Sequence, residues 1–178
     1  MLKAAANFLY ELIESFAVSL VIFLVVYFFL AFPEEVFGAS MEPTLATGDR
    51  LIVERLSVKF NRLGRGDVVI LNPPGRDVDF VKRIVGLPGE SLLILDCKVY
   101  LVKNDFEKIP LSEAYVNNGS CTKVNDPAVI KLSENTYYVL GDNREHSADS
   151  RFFGPIEKKK IDGKVVFRFW PPSKLRTF

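Results

Sequence analysis

A chain of 178 residues has room for one domain and an anchor. It is 48% apolar, which is enough for a core, and part of that content sits in a single N-terminal run. The 23 basic and 22 acidic residues leave a net charge of +1, which argues against a dedicated nucleic-acid surface, and two cysteines with one histidine are too few for a four-ligand zinc site, so no cofactor is called for.

The first element is that apolar run, 16-FAVSLVIFLVVYFFLAF-32, whose 17 residues carry no charge. With Leu12 and Ile13 it approaches the roughly 20 residues that span a bilayer, so a transmembrane helix is expected over about 12–32, ended by Pro33. The apolar core of a cleaved signal peptide would be shorter, roughly 7–15 residues. A core helix that is apolar all round would need a larger protein around it. Lys3 precedes the span, whereas Glu34 and Glu35 follow it and the next basic residue is Arg50. That asymmetry places the N-terminus in the cytoplasm and residues 34–178 outside it, as a single-pass protein of the cell membrane.

After Pro33 the pattern is mainly β. Short apolar runs recur at 51-LIVERL-56, 67-DVVIL-71, 79-DFVKRIV-85, 91-SLLIL-95, 98-KVYLV-102, 136-TYYVL-140 and 164-KVVFRFW-170. Gly, Pro, Asn and Asp separate them, as in a sandwich or barrel. Residues from about 96 to 131 are more polar and predict an insertion or cap. They carry Cys97 and Cys121, which are either two thiols or a disulfide, and Asn118-Gly119-Ser120, a weak match to a glycosylation sequon. The 167-FRFWPP-172 stretch reads either as a core strand or as a contact with lipid.

Four clusters can carry chemistry: 40-SMEPTL-45, 66-GDVVIL-71, 81-VKRIVGLPGE-90 and 141-GDNREHSADSRFFGP-155. Each has a plain reading. Ser40 is a turn serine, Gly141 at positive φ opens a hairpin, Asp149 and Arg151 form a surface ion pair, and 158-KKK-160 is a solvated face. Lys82 resists the plain reading, because strand alternation puts it on one face with Phe80 and Ile84. Burial there lowers an amine's pKa, and a shift from ~10.4 to 7–8 needs about 4 kcal/mol of differential interaction. A lysine so shifted can act as base to a serine, with Ser147 or Ser150 to hold its amine.

Together, in this order after a membrane span, the clusters resemble the bacterial type I signal peptidases, membrane-anchored Ser–Lys proteases, over nearly the whole chain. The resemblance implies a signal-peptidase-like complex β fold preceded by one N-terminal transmembrane helix. It implies that Ser40 is the nucleophile, Lys82 the general base, Ser147 the residue that orients the amine, and Asp149 with Arg151 a bracing ion pair, with Arg144 in the same turn. The backbone N–H of Ser40 is expected to donate to the oxyanion. Some members carry a serine two positions before the nucleophile, where this chain has Gly38. The implied substrates are signal peptides of exported preproteins, cut after a small residue in an Ala-x-Ala pattern. They would bind as an extended strand beside 36-VFGA-39 and 79-DFVK-82. Val36, Gly38, Met41, Leu45, Asp79, Phe80 and Val81 would shape the subsites. The lipid bilayer is the other implied partner: the eight positions from Phe32 to Ser40 reach at most ~28 Å.

Three rivals remain. A narrower processing peptidase of the same family would share every motif. A self-cleaving repressor of the LexA type also uses a Ser–Lys pair, but lacks an anchor and carries a DNA-binding domain. A membrane-tethered β domain that binds peptides without cutting them would not need Ser40, Lys82 and Ser147 together.

Overall fold

A computed structural model describes residues 2–75, 78–103, 107–116, 120–124 and 127–178. The chain divides into two units, Met1–Phe32 and Pro33–Phe178.

The first unit is helix α1 (Leu2–Val25), continued by a π-helical turn over Val26–Leu30. Its stretch Asn7–Val25 is long and apolar enough to cross a membrane. The helix starts earlier and ends sooner than the run of apolar letters implies. Ala31 is already extended, at φ −155°, and strand β1 (Ala31–Glu35) takes in Phe32 and Pro33. The cause is local: the residue before a proline is pushed out of the α region, so the helix must finish upstream of Pro33.

The second unit holds two sheets. The larger contains β1, β2 (Arg50–Glu54), β3 (Val68–Leu71), β4 (Phe80–Gly86), β9 (Thr136–Leu140), β10 (Ile156–Glu157) and β11 (Ile161–Trp170), in the order β1-β2-β11-β3-β4-β9-β10, with β12 (Arg176–Thr177) also on β11. The smaller contains β5 (Ser91–Leu95), β6 (Lys98–Lys103), β7 (Glu107–Pro110) and β8 (Val129–Lys131), in the order β7-β6-β5-β8. The cap is therefore a sheet, and it takes in residues 91–95 ahead of the polar segment that marks it in the sequence. A disulfide joins Cys97 to Cys121 within it. Asn118 and Gly119 of the sequon lie outside the described residues.

Alternation along two strands links the sheets. In β9, Tyr137 and Val139 enter one core with Ile84, Val69, Leu71 and Ile156, whereas Tyr138 and Leu140 enter a second with Val85, Leu92, Ile94 and Val99. β4 splits the same way. Phe80 and Ile84 face the first core, and Val85 faces the second. Gly86 sits where the sheets close up: a Cβ there would meet Leu92 at 2.5 Å and Leu132 at 2.7 Å, so no side chain fits.

Candidate active site

Ser40 sits on a loop that leaves β1 and returns to β2. Val36 N–H donates to Asp49 O at 2.9 Å and Gly48 N–H donates to Val36 O at 2.9 Å, which closes the loop at its neck. Arg168, reaching from β11, donates to Asp49 at 2.8 Å and to the carbonyl of Thr44 at 2.9 Å. Residues 36–39 are irregular rather than a strand, because Gly38 takes φ +88°. That conformation accounts for the glycine: a Cβ at 38 would meet nothing within 4 Å, so space is not what excludes a side chain, whereas φ is.

β4 carries Lys82 to this loop. It is 3% exposed, on the face shared with Phe80 and Ile84, and its amine lies 4.9 Å from the Phe80 ring centre. Its Nζ is 2.7 Å from Ser40 Oγ and donates to the Val81 carbonyl at 3.0 Å. Burial lowers its pKa from 10.5 to about 8; the charges of Asp149 and Asp142 oppose the drop, and Arg151 adds to it. The Ser40 N–H makes no hydrogen bond among the described residues.

The GDNR segment packs on the far side of Ser40. Asn143 N–H donates to Ser40 O at 3.1 Å, and its side-chain amide donates to Ala39 O at 3.0 Å. Gly141 is not at positive φ; it is a glycine because of a close approach. A Cβ there would fall 2.4 Å from Ser40 O and 2.3 Å from Ser147 Oγ. Ser147 Oγ is buried and unpartnered among the described residues, so the hydrogen bond expected between Ser147 and Lys82 is not formed in this conformation. Ser150 is committed elsewhere, as its hydroxyl accepts from Val139 N–H at 3.0 Å.

Asp149 and Arg151 are not a surface pair. The Asp149 side chain is fully buried, accepts from Arg151 Nε at 2.8 Å and a terminal nitrogen at 2.7 Å, and also accepts from Gly141 N–H at 3.0 Å. It caps the short helix α2 (Ser150–Phe153) through Arg151 N–H. A second buried pair, Arg83 with Asp142, escaped the reading of the sequence. Arg83 donates to both carboxylate oxygens at 2.8 and 2.6 Å and to Gly66 O at 2.7 Å. Its signal is present in retrospect: Arg83 follows Lys82 directly on β4, so it must point to the opposite face, toward the cap. Arg144 does not join the Asp149 pair. It reaches the cap, on Glu113.

A groove of about 590 Å³ runs past the dyad. Val36, Gly38, Met41, Asp79, Phe80 and Val81, the residues read from the sequence as shaping subsites, line it. Leu45 does not. It is fully buried, its N–H tied to Met41 O at 2.9 Å, and it supports the loop from beneath. Ile70, Val78, His146 and Ala148 also line the groove. Glu34, Glu35 and Asp79 make one end acidic. There the Glu34 carboxyl is raised, first by burial and then by the charges of Asp79 and Asp162.

A family model described as signal peptidase, peptidase S26, matches residues 9–170. A signal peptidase I of Bacillus licheniformis is 35% identical over 176 residues, covering 96% of this chain and 93% of that protein. A signal peptidase IB of Staphylococcus aureus strain Mu50 is 36% identical over 185 residues, covering 94% of this chain and 93% of that one. A solved signal peptidase I from Enterococcus faecalis V583 is 27% identical and matches 58% of this chain and 97% of its own, with a TM-score of 0.48.

Proposed function

The chain belongs to the signal peptidase family, peptidase S26, and on that premise we propose that it cuts preproteins with Ser40 as nucleophile and Lys82 as general base. It is a serine endopeptidase that removes signal peptides. The observation that carries the residue assignment is the 2.7 Å contact between Ser40 Oγ and an amine buried on an apolar strand face.

The valences fit a neutral amine. It has one lone pair and two N–H donors. The lone pair takes the Ser40 proton, one N–H donates to Val81 O, and the other is left for Ser147 Oγ, the buried hydroxyl that lacks a partner. Ser147 then orients the amine once substrate fills the groove. Ser40 Oγ attacks the scissile carbonyl as Lys82 accepts its proton, and Lys82 returns that proton to the departing amine. The acyl-enzyme ester is cleared by a water that Lys82 deprotonates in turn. The unused N–H of Ser40 donates to the oxyanion, and Gly38 supplies no side-chain donor beside it. Asp149 with Arg151 and Asp142 with Arg83 hold the strand ends and the turn around this pair.

The groove shaped by Val36, Met41, Phe80 and Val81 takes small apolar side chains, which fits cleavage after Ala-x-Ala. An extended peptide pairs along β4. Helix α1 anchors the chain in the cell membrane, with residues 34–178 outside the cytoplasm. The test is cleavage of a preprotein with an Ala-x-Ala site by wild type, Ser40→Ala and Lys82→Ala. Both variants should lose activity by at least about 10³-fold. Normal cutting by Lys82→Ala would sink the dyad.

A further inference from the structure

The turn that presses on Ser40 is itself gripped by the cap. The Arg144 side chain is 1% exposed. Its Nε donates to Gly141 O at 3.0 Å. Its terminal nitrogens donate to the Glu113 carboxylate at 3.0 and 2.5 Å and to the Thr122 hydroxyl. Glu113 also accepts from the Tyr115 hydroxyl at 2.9 Å, and the Tyr115 ring centre lies 4.1 Å from the guanidinium of Arg83. Two buried arginines thus hold one turn, Arg144 through Gly141 and Arg83 through Asp142. Arg144 meets the cap at Glu113 and Thr122, and Arg83 meets it at Tyr115, which is bonded to the same Glu113. None of Glu113, Tyr115 and Thr122 lines the groove.

A guanidinium this buried does not stay in place once its carboxylate is gone. If it leaves, Gly141 O is released. Gly141 abuts the Ser40 carbonyl, and Asn143 N–H donates to that same oxygen at 3.1 Å, so a shift in the turn passes to the backbone of the nucleophile. Proton transfer across 2.7 Å is intolerant of such shifts.

We propose that Glu113 is a positioning residue for the reaction: from the cap, and through Arg144, it sets the turn against which Ser40 is aligned with Lys82. This rests on the Ser40–Lys82 reading above. Glu113 touches neither the groove nor the reacting atoms, so its loss acts on the chemical step and leaves substrate affinity alone.

The test uses the full chain in detergent micelles and a peptide with an Ala-x-Ala site, followed by single-turnover cleavage under enzyme excess and by steady state. The single-turnover rate constant does not depend on how many molecules are active, so it separates misalignment from misfolding. Glu113→Gln should lower it by about tenfold or more with KM within about twofold, and Glu113→Asp should restore part of the loss. In an Arg144→Gln background, Glu113→Gln should cause no further loss, because the two act as one unit. A Glu113→Gln rate constant within twofold of wild type overturns the proposal. So does a full loss on top of Arg144→Gln. Should Glu113→Gln not fold, Thr122→Val and Tyr115→Phe, which each remove one hydrogen bond of the clamp, carry the test. A slowed single turnover in either supports the clamp, and wild-type constants in both overturn it. Ser40→Ala and Lys82→Ala run alongside: if either still cuts, the dyad reading is what fails. If both are dead while Glu113→Gln is at full speed, only the positioning role fails.

Discussion

At the scale of the residue, Lys82 sets both the activity and a cost in stability. Its amine is lowered to about 8 by burial, so it is mostly charged at neutral pH and becomes a base as pH rises. The expected kcat/KM climbs through pH 8 to a plateau; an inflection near 10 would mean the amine is not desolvated. The stability effect has the opposite use. A lysine at 10.5 when unfolded and about 8 when folded binds fewer protons in the native state, which costs about 3 kcal/mol below pH 8. That penalty fades between pH 8 and 10.5, where the unfolded chain also loses the proton. Lys82→Met keeps the length of the side chain and removes the charge. It should be inactive yet resist urea better than wild type, by up to about 3 kcal/mol at pH 6.5 and by less at pH 9.5. Equal or lower stability at pH 6.5 would contradict a strained lysine.

At the scale of the element, the cystine in the cap invites a separate measurement. Cys97 and Cys121 close a loop over a sequence separation of 24. Constraint of the unfolded chain over such a loop is worth about 3–4 kcal/mol. Cys97→Ser with Cys121→Ser should lower unfolding free energy by that order in a urea melt, whereas a loss under about 1 kcal/mol would mean the cap is held by its sheet alone. The cap also shows which features a sequence exposes. β4 and β9 were legible because each is a short apolar run bounded by turn residues, and the motif order was legible because Ser40, Lys82 and the GDNR segment follow the apolar N-terminal run in one fixed order. The end of α1 was not, since Ala31 and Phe32 are as apolar in a strand as in a helix. β5 was not legible as cap, since 91-SLLIL-95 has the same pattern as strands of the main sheet. The clamp was hidden for another reason. Glu113 and Arg144 are 31 positions apart, and nothing local marks a surface-type glutamate as the partner of a buried arginine.

At the scale of the whole molecule, one aromatic end of the main sheet asks for a partner. β11 starts in the core, with Ile161 and Val165 buried, and ends on Trp170, which is 49% exposed. The sequence left 167-FRFWPP-172 open between core strand and lipid contact. The fold rules out a simple core strand at its end: Arg168 is the buried residue there, tied to Asp49, and a register shift between Arg168 and Trp170 breaks the alternation that would put both on one face, so the strand ends on an exposed Trp170 past the half-buried Phe169. Leu175, nearby in the chain, is 57% exposed. An exposed indole beside exposed aliphatic surface matches the preference of tryptophan for the membrane interface. Trp170 is the only tryptophan, so the full chain reports on its own contact. Reconstituted in phosphatidylcholine–phosphatidylglycerol vesicles, it should show blue-shifted emission relative to the unfolded chain, and lipids brominated near the top of the acyl chain should quench it by about half or more. Trp170→Phe should abolish the signal without loss of fold. Emission near the value for indole in water, unquenched by brominated lipid at any depth, would leave this end of the sheet in solvent and remove the lipid contact from the catalytic unit.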